Sequence, residues 1–127
     1  MKLIKFSKVM GENSKYYLFL NISFNNEEGE FKMSIDKNTA LHFKESLELK
    51  PFKEIRAKSY SYFFSGVAVD KRNKEYYVYV EIRSGKMRKK VKTKCSQLFC
   101  RNILWINETN TFAEYYKHLI KVRSCQE

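Results

Sequence analysis

Apolar and polar side chains alternate over much of the first third of the chain. Residues 15–24 set Tyr16, Leu18, Leu20, Ile22 and Phe24 on one face and Tyr17, Phe19, Asn21 and Ser23 on the other, the period of a strand with one face in a core. Residues 2–10 alternate more weakly and fit a strand before it. Asn25-Asn26-Glu27-Glu28-Gly29 reads as a turn into a short strand, Glu30–Ile35. Asp36 then caps a helix over 37–50, which ends before Pro51. Further on, strands are predicted at 60–69 and 75–84, a turn at Ser84-Gly85, a strand at 86–94 and another at 98–106. Asn107 follows as the cap of a helix over 108–123. Ala40, Phe43 and Leu47 form an apolar stripe on the first helix, and Phe112, Tyr115 and Leu119 one on the second. Each stripe needs a sheet to cover, so two sheets, each backed by a helix, are expected.

The pattern occurs twice. A shift of 60 lays Lys15–Ser23 over Glu75–Arg83, so that Tyr16-Tyr17 meets Tyr76-Tyr77 and Leu18, Leu20 and Ile22 meet Val78, Val80 and Ile82. The same shift lays Leu3–Val9 over Phe63–Val69. A second echo, at a shift of 71 or 72, sets Met33-Ser34-Ile35-Asp36 against Leu104-Trp105-Ile106-Asn107. The expected fold is therefore α+β: two tandem repeats, residues 1–57 and 58–127, packed as one pseudo-symmetric domain. Each repeat is expected to be a curved antiparallel sheet of three to four strands with one helix behind it.

Composition changes the picture from a generic sheet protein to one with a preferred class of partner. The 127 residues suit one domain. The net charge is +11, from 25 Lys and Arg against 14 Asp and Glu, and aromatics reach 16%. Cations attract phosphates and aromatic faces stack on bases, so the conjunction points to nucleic acid. The charge is uneven: residues 1–57 carry a net +2 and residues 58–127 a net +9. No apolar run approaches the length of a membrane helix, and Lys2 and Lys5 interrupt the N-terminal stretch where a signal peptide would be apolar. An intracellular protein, nuclear or cytoplasmic and without a membrane partner, is expected.

Tyr62-Phe63-Phe64, the turn Asp70-Lys71-Arg72-Asn73-Lys74 and the strand Tyr76-Tyr77-Val78-Tyr79-Val80 resemble the aromatic strand, basic turn and aromatic-led strand of the purine-rich-element-binding (PUR) repeat family. Met33-Ser34-Ile35-Asp36 running into a helix is similar to the strand-to-helix junction of the plant Whirly proteins and of a related family of transcriptional coactivators. The resemblance covers nearly the whole chain and implies paired sheet-and-helix repeats that bind single-stranded DNA or RNA, with a role in regulating transcription or RNA. Lys15 and Glu75 stand where the PUR family often has Gly, and the first copy has one strand fewer than the family's four.

The candidate residues follow from strand periodicity and charge. In the run 86–94, Lys86 and Lys89 accompany Arg88, Lys90, Lys92 and Lys94, and the last four share one face about 6.5–7 Å apart. That row suits the phosphates of an extended strand, and Lys71, Arg72 and Lys74 in the preceding turn would extend it. The other reading is a solvated edge strand whose lysines block aggregation. Tyr17, Phe19, Tyr77 and Tyr79 lie opposite the aliphatic faces of their strands, where they either stack bases or pack between the repeats. Phe64, with Tyr62, is expected to face solvent. Stacking is expected chiefly in the second copy, at Phe64, Tyr77 and Tyr79, because the cations are there. Cys95, Cys100, His118 and Cys125 offer metal-binding atoms without a CxxC spacing, so free thiols and no metal are expected. There is no P-loop, dinucleotide turn or His–carboxylate motif, so neither an enzyme nor a cofactor is expected, and the cluster Glu27, Glu28 and Glu30 reads as a solvated turn. The competing function is a protein-interaction module, with a homodimer as one form.

Overall fold

A computed structural model describes residues 2–48, 60–117 and 120–121. Strands β1 (Lys2–Glu12), β2 (Lys15–Phe24) and β3 (Glu27–Ile35) form a meander that runs into helix α1 (Lys37–Glu48). Strands β4 (Ser61–Asp70), β5 (Glu75–Ser84) and β6 (Met87–Cys95) form a second meander that runs into α2 (Gln97–Glu108), followed by a short α3 (Phe112–Tyr116) and β7 (Ile120–Lys121). The fold is α+β, but the expected two sheets are one. β1 pairs with β4 through Lys5↔Phe63 and Phe6↔Tyr62, giving a fully antiparallel open sheet in the order β6-β5-β4-β1-β2-β3-β7.

Local chemistry explains the hairpins. Asn13-Ser14 and Asn25-Asn26 are two-residue turns with both φ angles in the left-handed region, a conformation Asn tolerates and one that matches strand twist. The second turn is tighter than the five residues expected, so Glu27 and Glu28 lie on β3 with Glu30 and not in a loop. Asp70 organises the four-residue β4–β5 turn: its carboxylate accepts from the backbone N–H of Arg72 (3.0 Å) and of Asn73 (3.4 Å). Phe6 lies opposite Leu20 and Phe64 opposite Val80. Phe6 and Phe64 thus hold like places in their hairpins but lie 58 residues apart, not the 60 of the sequence echo, because the β4–β5 turn is two residues longer.

Residues 98–106 are not a strand. Phe99, Cys100, Ile103 and Ile106 are buried on one side of α2, the helical period that the local alternation of Leu104 and Ile106 had masked. The cap is Ser96, whose Oγ accepts from Phe99 N at 3.1 Å, and Asn107 lies in the last turn of α2. The echo at a shift of 71 or 72 therefore falls away, since it set strand residues against helical ones. Of the predicted helix over 108–123, the described residues show α3, capped by Thr111, and the short strand β7, Ile120–Lys121; Leu119 and the stretch around Pro51 lie outside the described residues.

The helices of the described residues all pack on one face of the sheet, where Phe6 is the hub. Its ring meets Phe43 of α1 (5.5 Å between centroids), Tyr62 (5.1 Å) and Phe64 (5.1 Å). Phe43 in turn meets Phe99 of α2 at 5.4 Å. Phe31 of β3 meets Phe112 and Tyr115. A single buried cluster thus draws on both meanders. α1 crosses over to pack chiefly along β6, and Ser96 N donates to Thr39 Oγ1 at 2.9 Å. The helix starts that follow β3 and β6, five strands apart in the sheet, are in contact, so the sheet curls around its helices.

Thr39 is fully buried at this junction and also donates to the capping Asp36 (2.6 Å). Thr39→Val keeps the volume but leaves Ser96 N–H unpaired, and should cost about 1–3 kcal/mol in urea denaturation, with Thr39→Ser close to wild type. Fragments 1–57 and 58–127, expressed separately, should each lack a cooperative thermal transition by circular dichroism, because each would expose half of the shared aromatic core.

Candidate nucleic-acid interface

The face of the sheet away from the helices carries the polar and aromatic side chains. On β2 and β5, Leu18, Leu20, Ile22, Val78, Val80 and Ile82 are buried beneath the helices, while Tyr17, Phe19, Tyr77 and Tyr79 are half-buried on the opposite side. These four do not pack between the meanders, because the meanders meet edge to edge. Phe64 is corrected: with Tyr62 it points into the core, against Phe6, Phe43 and Phe99. Phe63 takes the outward position instead. The alternation on β4 is broken by a bulge between Phe64 and Gly66, which hides the phase when the strand is read from its Val67–Val69 end.

A single register row crosses six strands on this face, Lys90–Glu81–Phe63–Lys5–Asn21–Glu30. From it the aromatics run diagonally. Tyr79 and Tyr77 lie to one side along β5, and Phe19 and Tyr17 lie to the other along β2, because those strands are antiparallel.

Most of the rings carry a cation. Lys92 Nζ lies 4.1 Å from the Tyr77 centroid, Lys32 Nζ 3.9 Å from Tyr17 and Lys8 Nζ 5.1 Å from Phe19. The Arg83 guanidinium lies 4.1 Å from Phe63, with Lys5 at 5.9 Å. Such contacts are worth about 0.5–1 kcal/mol at exposed sites. Tyr79 stands opposite Gly66, which adds no side chain beside its ring.

The cations of β6 fall as the strand period predicts. Arg88, Lys90, Lys92 and Lys94 point to the aromatic face, opposite Arg83, Glu81, Tyr79 and Tyr77. Lys89 lies on the other phase but is exposed near the hairpin end, and Lys86 is exposed in the β5–β6 turn. Lys71, Arg72 and Lys74 are exposed in the β4–β5 turn, at the Lys94 end of the row. Two acids temper the row. Glu75 pairs with Lys94 at 3.0 Å, and Glu81 pairs with Arg83 at 2.9 Å and reaches Arg88 at 4.0 Å. The Tyr77 hydroxyl donates to Glu75. That bond, with Lys94 beside it, holds the Glu75 carboxyl below its usual range and raises the Tyr77 hydroxyl. The Tyr77 ring is thus fixed at its hydroxyl and capped on its face.

Cys95 and Cys100 are buried free thiols at the β6–α2 junction. His118 and Cys125 lie outside the described residues, among which no group of three or more His, Cys, Asp or Glu could hold a metal. Trp105 is half-buried and packs against the core. No helix among the described residues is long and apolar enough to cross a membrane.

Burial first, then the neighbouring Cys100 and Asp36, push the Cys95 thiol up to about 12. The unfolded thiol ionises near its ordinary value, so this group favours the fold below about pH 9 and loses that contribution as pH rises toward 12. Iodoacetamide at pH 8 should leave Cys95 unmodified in the native protein and label it fully in urea, read by peptide mass mapping. No family model, curated protein or solved structure matches the chain.

Proposed function

We propose that the chain binds single-stranded DNA or RNA across the helix-free face of its sheet, and that its two β-β-β-α units are tandem copies of one element. The observation that carries the reading is the meeting of two features on one surface: an outward cation row along β6 and a diagonal of aromatic rings. Neither feature alone would distinguish a ligand surface from a solubilising one. Together they match what an unpaired strand offers, phosphates on one side and free base faces on the other. The tandem-copy reading is supported by a constant offset of 60 that relates β2, β3 and α1 to β5, β6 and α2. The resemblance to PUR and Whirly proteins, whose paired sheet-and-helix repeats bind single strands, agrees with both parts and points to a role in regulating transcription or RNA.

The geometry suggests how binding would proceed. In the free protein Lys92 covers Tyr77 and Arg83 covers Phe63. A base arriving on either ring gains about 1–3 kcal/mol by stacking, which exceeds the cation–ring contact it displaces. The displaced cation is then free to reach the neighbouring phosphate. Tyr79, beside Gly66, is open to a base from the start. Duplex DNA has no free base face, so single strands should bind more tightly.

A protein-interaction module is the second reading, favoured by apolar side chains on the helix side: Leu98 of α2 is 68% exposed and Leu104 42%. A homodimer would use that side and leave the aromatic face open.

Replacing Arg88, Lys90 and Lys92 together with Glu should weaken binding to all single strands alike. The slope of log affinity against log salt should flatten by about 2, at roughly 0.7 for each phosphate no longer neutralised. Fluorescence anisotropy across a salt series measures both, and unchanged affinity in a folded variant would remove the proposed track. Phe63→Leu and Tyr79→Leu should each cost about 1–3 kcal/mol of binding with little change in melting. Phe64→Leu should lower melting and leave binding nearly intact.

A further inference from the structure

Towards its two ends, at β6 and at β3 beside β7, the aromatic face carries opposite charge at corresponding positions. On β6 the outward residues are Arg88, Lys90, Lys92 and Lys94, and on β3 they are Glu28, Glu30, Lys32 and Ser34. Each β3 residue corresponds to the β6 residue 60 positions on, so the first two places carry a carboxylate in one unit and a cation in the other. Between β3 and the middle of the sheet lies an open groove of about 700 Å³. Tyr17 and Phe19 line it, with Lys32, 7% exposed, lying over the Tyr17 ring. Asn21 and Glu30 are cross-strand neighbours in the same groove. Glu28 accepts from Ser23 Oγ at 3.1 Å, while Glu30 has no hydrogen-bond or ion-pair partner among the described residues.

A phosphate run along this edge would meet two carboxylates. A base would meet a ring to stack on and an acceptor beside it. Carboxylates accept from the exocyclic amino groups of bases, whereas uracil and thymine present carbonyl oxygens at the corresponding position, which a carboxylate repels. Extending the single-strand reading above, on which this rests, we infer that the β1–β2–β3 groove is a base-selecting subsite. It stacks an unpaired base on Phe19 or Tyr17 and favours bases with an exocyclic amino group through Glu30 and Asn21. The two units then divide the work, with the β6 edge holding the backbone and the β3 groove reading a base.

The test is anisotropy of the full chain with oligo(dC), oligo(dA) and oligo(dT) of equal length at one salt concentration. Wild type should bind oligo(dC) and oligo(dA) about three- to tenfold more tightly than oligo(dT), the size expected of one partly exposed base contact. Glu28→Gln/Glu30→Gln should bring the three affinities together, mainly by improving oligo(dT) binding. If that variant instead tightens all three alike and keeps their ratio, the carboxylates act only as bulk charge and the subsite is overturned, with single-strand binding left standing. Equal wild-type affinities overturn it in the same way. If wild type binds none of the three, the single-strand reading itself fails and the subsite with it.

Discussion

The short pairing of β1 with β4, pinned beneath by the Phe6 ring, is the contact on which the rest of the architecture depends. Among the described residues, two backbone register pairs, Lys5↔Phe63 and Phe6↔Tyr62, join the meanders as a sheet. They would be a weak seam without the aromatic cluster below, where Phe6 touches Tyr62, Phe64 and Phe43. Aromatic contacts of this kind add about 0.5–1.5 kcal/mol each beyond simple burial. Once the seam forms, six strands share one pair of faces. The described helices take one face, and the outward residues of both meanders become parts of a single surface. Phe63 owes its central place on that surface to the seam, since it is the strand neighbour of both Lys5 and Glu81.

What the sequence made legible, and what it did not, follows from the range of the forces involved. The faces of β2 and β5 were legible because strict alternation over ten residues leaves one solution for a half-buried strand. The cation row on β6 was legible for the same reason. Phe64 was misplaced because a bulge beside it shifts the phase of β4, and because its destination, against Phe43 and Phe99, is set by helices remote in the chain. Residues 98–106 misled in a different way. Their apolar residues satisfy a strand locally, and only the burial spacing of Phe99, Cys100, Ile103 and Ile106 under the curled sheet selects a helix. The union of two sheets into one was not legible at all, since a two-pair seam leaves no pattern of its own.

The candidate surface divides along the same line. Cation clusters and aromatic positions can be found by counting, so Tyr17, Phe19, Tyr77, Tyr79 and the β6 row emerged from the sequence. The caps over the rings could not, because Lys92 over Tyr77 and Lys32 over Tyr17 are cross-strand diagonals that depend on register. The acidic residues of β3 were legible as charge but not as part of a face. A hairpin turn three residues shorter than expected moved Glu27 and Glu28 from a loop onto the sheet beside Glu30.

The two-residue turns at Asn13-Ser14 and Asn25-Asn26 have a consequence for how this chain can vary. Their left-handed angles suit Asn, Asp or Gly and strain most other side chains. The turns also fix register, and a slip of one position exchanges the faces of a strand. On β2 such a slip would carry Leu18, Leu20 and Ile22 into solvent and drive Tyr17, Phe19 and Asn21 against the helices. Outward side chains can therefore be replaced one at a time with the architecture intact. An insertion or deletion of one residue in these hairpins cannot be absorbed that way, whereas a change of two keeps the phase, as the longer β4–β5 turn does. Related chains should therefore differ freely in surface residues while changing these turns only in steps of two.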